Sequence, residues 1–240
     1  MNDATQVIET GPDDADASII LLHGLGADGA DLAGLAQHVE QPDGARWRFL
    51  FPDAPQRPVS INGGAVMRAW YDIDPGRGLD SGATEIRESA AIADTLIRRE
   101  IDRGVPARRI VLGGFSQGGV IALEAGLCGE QPLAGIVALS TYLHDAERAA
   151  ERVTLANAEA PIFMAHGRGD PMIPITRAAT ARSVLEQLGY RLEWHEYPMG
   201  HEVCLPELRD LSSWLAAALA PANTSARAKA EAEADEGKPR

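Results

Sequence analysis

Cysteine is nearly missing: Cys128 and Cys204 are the only two among 240 residues, too few for a disulfide framework or a thiolate metal site. Long apolar runs are missing as well, and none approaches the ~18 residues of a transmembrane helix. The N-terminal stretch MNDATQVIETGPDDADAS has no basic segment followed by an apolar one, so no secretion signal is recognisable. Positive charge is in deficit. With 22 Lys and Arg against 35 Asp and Glu, the formal charge is −13, which argues against nucleic acid or an anionic membrane as the main partner. The expectation is a reduced, cytoplasmic protein that acts on a small molecule, without stable membrane insertion, as a monomer or weak homodimer. No metal and no cofactor is expected.

What is present is alternation. SIILLH (18–23), RFLFPD (48–53), RIVLGG (109–114), AGIVALS (134–140), PIFMAH (161–166) and YRLEWHEY (190–197) read as strands. Several are continuous apolar runs, as central parallel strands covered on both faces require. Between them, Ile86, Ala90, Ala93, Ile97 and Ile101 recur at helical spacing, as do Ala178, Ala181, Leu185 and Leu188, and Leu208, Leu211, Leu215 and Leu219. This pattern predicts an α/β fold with a mostly parallel sheet and helices on both faces. One domain is expected over 1–220. The remainder, 221–240, has no large apolar residue and its four basic and four acidic residues cancel, so it reads as a charged, disordered tail. Residues 52–80 show no helical period and form an excursion near the working edge of the sheet. The connection 141–160 is short and mostly polar, enough for one helix but not for a large cap domain.

Chemistry concentrates at IVLGGFSQGG (110–119), where four glycines surround Ser116 directly after a strand. Glycines there suit a sharp strand-to-helix turn that exposes a nucleophile, though an ordinary glycine-rich connection would look similar. A serine hydroxyl needs a base, and the base needs a carboxylate to fix its tautomer. Chain order then requires an acid after Ser116 and a histidine after the acid, each just past the end of a later strand. Asp170, in GRGDPMIP after the strand 161–166, meets that condition. Asp145 sits in a helix-like polar run and Asp210 follows every candidate base. Of the histidines after Asp170, His195 lies within a strand and His201 follows YPMG in a loop. The predicted triad is Ser116, Asp170 and His201. Backbone N–H groups of Gln117, at a helix start, and of Leu25, in LLHGLGADG, would supply an oxyanion hole. Trp70, Met67, Leu143, Met172 and Ile173 are the expected apolar wall. His166 and Glu202 are candidates to support the triad from behind.

A competing pattern shares the first turn. Gly24, Gly26 and Gly29 spell G-x-G-x-x-G after a strand and before a helix, with Asp53 near the position of a ribose-binding acid. A dinucleotide-dependent oxidoreductase is thus a remote alternative, one that leaves Ser116, Asp170 and His201 without a role.

The segments LHGLGADG, FPDAP, RPVSINGG, AWYDI, RIVLGGFSQGG, ALSTYL, HGRGDPMIP and YPMGHEV, in that order, resemble the carboxylesterase and acyl-protein thioesterase family of small α/β-hydrolases, and among these the bacterial carboxylesterases. The resemblance runs from about Ile19 to Leu219. It implies an α/β-hydrolase fold and a cofactor-free serine esterase, with Ser116 as nucleophile, Asp170 and His201 completing the triad, and Leu25 and Gln117 forming the oxyanion hole. The implied activity is hydrolysis of short- to medium-chain carboxylic esters through an acyl-enzyme. Acyl-protein thioesterase or lysophospholipase activity is the alternative. After AWYDI, where relatives carry apolar residues, this chain has polar DPGRGLD. An optimum at roughly four to eight acyl carbons follows from that reading.

Overall fold

The six apolar runs all become strands in the computed structural model, which describes residues 6–77 and 81–220. In chain order the elements are β1 (Val7–Thr10), β2 (Ala17–Leu22), α1 (Gly29–Ala36), β3 (Trp47–Pro52), β4 (Gln56–Val59), β5 (Ala65–Arg68), α2 (Ala83–Asp102), β6 (Ile110–Phe115), α3 (Gln117–Cys128), β7 (Gly135–Leu139), β8 (Ile162–Gly167), α4 (Ile175–Gln187), β9 (Leu192–Tyr197) and α5 (Leu205–Ala218). The main sheet has seven strands in the order β1-β3-β2-β6-β7-β8-β9. Every neighbouring pair is parallel except β1 with β3.

Burial on both faces explains why the central strands lack polar alternation. Ile19, Phe49, Phe51, Val111, Val137 and Phe163 face one side, where they pack with Leu208, Leu211 and Leu215 of α5. Their neighbours Ile20, Leu50 and Leu112 face the other, against Ile86, Ala93 and Ile97 of α2 and Val120 of α3. Further along that side Ile136, Ile162 and Met164 meet Ala178, Ala181 and Leu185 of α4. The expected helix faces are thus the packed ones, with Ile101 and Leu188 only half-buried near the helix ends.

Two elements lie outside the sequence reading, β1 and the β4–β5 pair, while the helix expected after Gly29 is present with a cap. Strand β1 adds an antiparallel edge. Helix α1 starts at Asp28, whose Oδ1 accepts from the N–H groups of Ala30 (2.9 Å) and Asp31 (3.3 Å), a side-chain cap on otherwise orphaned donors. The excursion contains a small antiparallel pair, β4 with β5. Between β7 and β8 the chain forms only a short 3₁₀ segment, Ala146–Glu151, and no cap domain. The proposed tail, 221–240, and Gly78–Asp80 of the polar stretch lie outside the described residues. Among those described, no helix is long and apolar enough to cross a membrane.

Candidate active site

The glycines around Ser116 answer a packing demand. A Cβ at Gly118 would overlap the Leu22 carbonyl, and one at Gly114 would overlap the backbone of Gly118. Only glycine lets α3 begin against the ends of β2 and β6. Ser116 itself has φ 56° and ψ −118°, a conformation that costs a non-glycine residue about 1–3 kcal/mol. It is held there from both sides. Its N–H donates to the Leu139 carbonyl (2.8 Å), and its own carbonyl accepts from Thr141 Oγ1 (2.7 Å).

The loops after β8 and β9 bring the partners to it. His201 Nε2 lies 2.8 Å from Ser116 Oγ, and His201 Nδ1 lies 2.6 Å from Asp170 Oδ2. With the carboxylate accepting from Nδ1–H, the Nε2 lone pair is free to accept the serine proton. Asp170 Oδ1 accepts from the N–H groups of Met172 (2.8 Å) and Ile173 (2.9 Å). Burial would raise the Asp170 pKa, but these hydrogen bonds and that from His201 prevail and hold it below the usual range. His166, fully buried, places Nε2 2.9 Å from the Ile173 carbonyl and 3.4 Å from Asp170 Oδ2. Burial lowers its pKa, so a neutral ring backs the acid. Glu202 borders the cavity beside His201.

A cavity of about 570 Å³ opens at Ser116. Leu25 and Gln117 both border it, and among the described residues neither backbone N–H donates to a backbone carbonyl. Met172 and Ile173 line it as expected. The other three expected wall residues do not. Trp70 is completely buried, its indole N–H donating to the His23 carbonyl (2.8 Å). Leu143 packs into the core with Leu123 and Leu127 and borders a separate cavity of about 340 Å³. Met67 lies on β5 with its sulfur 3.1 Å from Asn62 Nδ2, outside the wall. The apolar lining comes instead from Leu32 and Leu35 of α1, Ile61 and Ile73 of the excursion, Tyr71 and Val203. A helix after Gly29 was expected; the three-residue spacing of Leu32 and Leu35 was the available signal for its apolar face, and the part that face plays in the cavity was missed.

The competing candidates have other uses. Asp53 Oδ1 accepts from Gly29 N–H (2.9 Å), and its Oδ2 pairs with Arg68 (2.7 Å), so the acid of the dinucleotide reading anchors the start of α1. His195 Nε2 meets Glu193 (2.7 Å) and Asp210 accepts from the Tyr197 hydroxyl (2.6 Å). Burial pushes the Cys128 thiol up to about 11, which removes its nucleophilic form at neutral pH. Among the described residues no group of three or more His, Cys, Asp or Glu side chains is arranged to hold a metal.

The helix that follows His201 contributes a pH dependence. Glu207, in the first turn of α5, is fully buried, and burial pushes its pKa from 4.5 up to about 7. Its Oε2 accepts from Cys204 N–H (3.3 Å), while Oε1 has no partner among the described residues. The folded state therefore binds a proton that the unfolded state releases, and stability declines as pH rises from 4.5 through about 7. Glu207→Gln keeps an acceptor and removes the charge. Its melting temperature between about pH 5 and 8 should fall less than that of the parent protein; an equal fall would assign the dependence elsewhere.

The comparisons agree with this geometry. The family model described as phospholipase/carboxylesterase matches residues 3–219. Acyl-protein thioesterase 1 of Neurospora crassa is 40% identical over 220 residues, covering 83% of this chain and 85% of that protein. Acyl-protein thioesterase 1 of Saccharomyces cerevisiae is 34% identical over 209 residues, covering 82% and 91%. Among solved structures, Zea mays acyl-protein thioesterase 2 superposes with a TM-score of 0.78 at 25% identity, covering 90% of this chain and all of that one. Esterase PE8 gives 0.76 at 25% identity, covering 88% and 97%. A serine on a strained strand-to-helix turn, a parallel sheet that delivers a histidine and a carboxylate to it, and a family match over nearly the whole described chain lead to one assignment: the chain belongs to the phospholipase/carboxylesterase family of α/β-hydrolases, and is a hydrolase of carboxylic ester bonds.

Proposed function

We propose that the protein is a serine hydrolase of acyl thioesters and esters, with Ser116, His201 and Asp170 as its triad and a preference for medium to long acyl chains. The observation that carries this reading is the apolar cavity of about 570 Å³ meeting Ser116. A methylene occupies roughly the volume of a water molecule, about 30 Å³, so the space accommodates a chain of a dozen or more carbons beside a leaving group. The reading departs from the four-to-eight-carbon expectation. That expectation rested on polar residues 74–80, of which 78–80 lie outside the described residues, whereas the described apolar lining includes Leu32 and Leu35 of α1, Ile61, Tyr71 and Ile73 of the excursion, and Val203. The thioesterase names of the relatives support it as well.

In this mechanism His201 Nε2 takes the Ser116 proton as Oγ attacks the acyl carbon. The tetrahedral oxyanion is received by the N–H groups of Leu25 and Gln117. Collapse breaks the bond to the thiol or alcohol, which leaves with the proton from His201. Water, deprotonated by the same imidazole, then attacks the acyl-serine and releases the carboxylic acid. The reading retains the cytoplasm as compartment and an acyl ester borne by a small molecule or peptide as substrate.

A series of S-acyl and O-acyl substrates from acetyl to palmitoyl, kept below micelle formation, tests it. kcat/KM should rise with chain length, by at most about 0.8 kcal/mol per methylene, to an optimum near twelve to sixteen carbons. Leu35→Trp, which adds an indole on the α1 side of the cavity, should depress the long-chain rates more than the acetyl rate. An optimum at acetyl or butyryl would return the protein to the short-chain esterases. A strong preference for lysophospholipids over thioesters would favour the lysophospholipase reading.

A further inference from the structure

Trp70 is fully buried, yet every polar group of its residue is engaged. The indole Nε1–H donates to the His23 carbonyl (2.8 Å), and the backbone N–H donates to Gln117 Oε1 (2.8 Å). Its carbonyl accepts from Ser89 Oγ. The other end of the Gln117 carboxamide, Nε2, donates to the Tyr71 carbonyl (2.7 Å). That amide has only one workable orientation, because exchanging its oxygen and nitrogen would set donor against donor at Trp70 and acceptor against acceptor at Tyr71.

His23 is equally constrained. Its Nε2 accepts from Ala54 N–H (2.9 Å), which puts the ring proton on Nδ1, 2.7 Å from the Gly24 carbonyl. Burial lowers its pKa and keeps it neutral. The turn that holds Leu25 and the helix start that holds Gln117 are remote in sequence. They are joined through buried contacts: the Gln117 carboxamide accepts from the Trp70 backbone N–H, the Trp70 indole donates to the His23 carbonyl, and the His23 ring ties that turn to Gly24 and Ala54.

We infer that Trp70, the side chain of Gln117 and His23 are positioning residues that fix the Leu25 and Gln117 N–H groups relative to each other, and so set the geometry of the oxyanion hole. Two donors on separate segments stabilise a tetrahedral intermediate only if both lie about 2.7–3.1 Å from one point. A misplacement near 1 Å can cost about 100-fold in rate. Burying a carboxamide is unfavourable unless both its ends are bonded. The site therefore holds its one satisfied arrangement before substrate enters. The inference rests on the serine-hydrolase reading and adds side chains that act through the backbone donors they hold.

Gln117→Met keeps the side-chain volume and removes both hydrogen bonds; Trp70→Phe removes the indole donor and keeps an aromatic ring. Each is expected to lower kcat by about 10- to 100-fold with KM changed less than threefold. Affinity for a trifluoromethyl ketone or boronic acid, whose serine adducts place an oxygen in the hole, should weaken in parallel. Should Gln117→Met not fold, Trp70→Phe carries the same readouts. Folded variants with lower melting temperature but unaltered kcat and inhibitor affinity would overturn the inference, since a purely structural role predicts that pattern. Failure of the parent protein to react with a fluorophosphonate at Ser116 would instead overturn the serine-hydrolase reading itself.

Discussion

Ser116→Ala is expected to abolish fluorophosphonate labelling and to lower ester and thioester turnover by about 10⁴-fold or more. The size of the loss follows from the geometry. His201 Nε2 stands 2.8 Å from Ser116 Oγ, and without that hydroxyl the imidazole has only water to activate. Neither cysteine is placed to substitute. The Cys128 thiol is pushed up to about 11, and Cys204 caps the start of α5. Alanine retains the Cβ, so the backbone strain at this position is unchanged and the melting temperature should move little. Labelling or turnover that survives in a folded Ser116→Ala protein would remove Ser116 from the mechanism.

Asp170→Asn is expected to fold and to lose about 10⁴-fold in kcat. Asparagine can still accept from the Met172 and Ile173 N–H groups through Oδ1, so the loop after β8 retains its anchors. Facing His201, however, the amide presents a donor where the carboxylate accepted. The imidazole then turns its lone pair to Nδ1 and its proton to Nε2, and it can no longer take the proton from Ser116. The pH dependence of stability gives a second check. The Asp170 pKa is depressed in the folded protein, so its contribution is present above the unfolded carboxylate range and is lost as pH falls through the lower folded value. Asp170→Asn should lack that part of the acid destabilisation. Near-normal activity in a folded Asp170→Asn protein would mean that another acid orients His201.

The framework was legible because its signals are local. A buried parallel strand needs an unbroken apolar run, and a helix over it needs its apolar residues three and four apart; both are visible in any short window. The cluster of Ser116, His201 and Asp170 was legible for a related reason. Chain order and the position of loops after strands left few residues to choose from. Beyond Met172 and Ile173 the cavity wall was not legible, because it depends on the direction of side chains, several of them in irregular chain. Trp70 and Tyr71 are adjacent in an aromatic pair, and nothing in AWYD tells which ring faces the space. Trp70 went inside because its indole N–H has a buried carbonyl to meet at His23, while Tyr71 borders the cavity. Strand β1 was missed because four half-exposed residues at a sheet edge leave almost no hydrophobic period.

The order of strands in the sheet also bears on when catalysis becomes possible during synthesis. A polypeptide leaves the ribosome N-terminus first, so the Ser116 turn after β6 emerges well before His201. His201 follows β9, whose end is tied to the loop after β8: Arg168 N–H donates to the Tyr197 carbonyl (2.9 Å) and Gly169 N–H to that of Met199 (3.0 Å). Among the described residues β9 is the edge strand and pairs with β8, so its docking requires β8 in place. A nascent chain short of β9 carries Ser116 without the His201 ring that hydrogen-bonds it. On the proposed mechanism, hydrolytic competence therefore arrives with the last edge of the sheet.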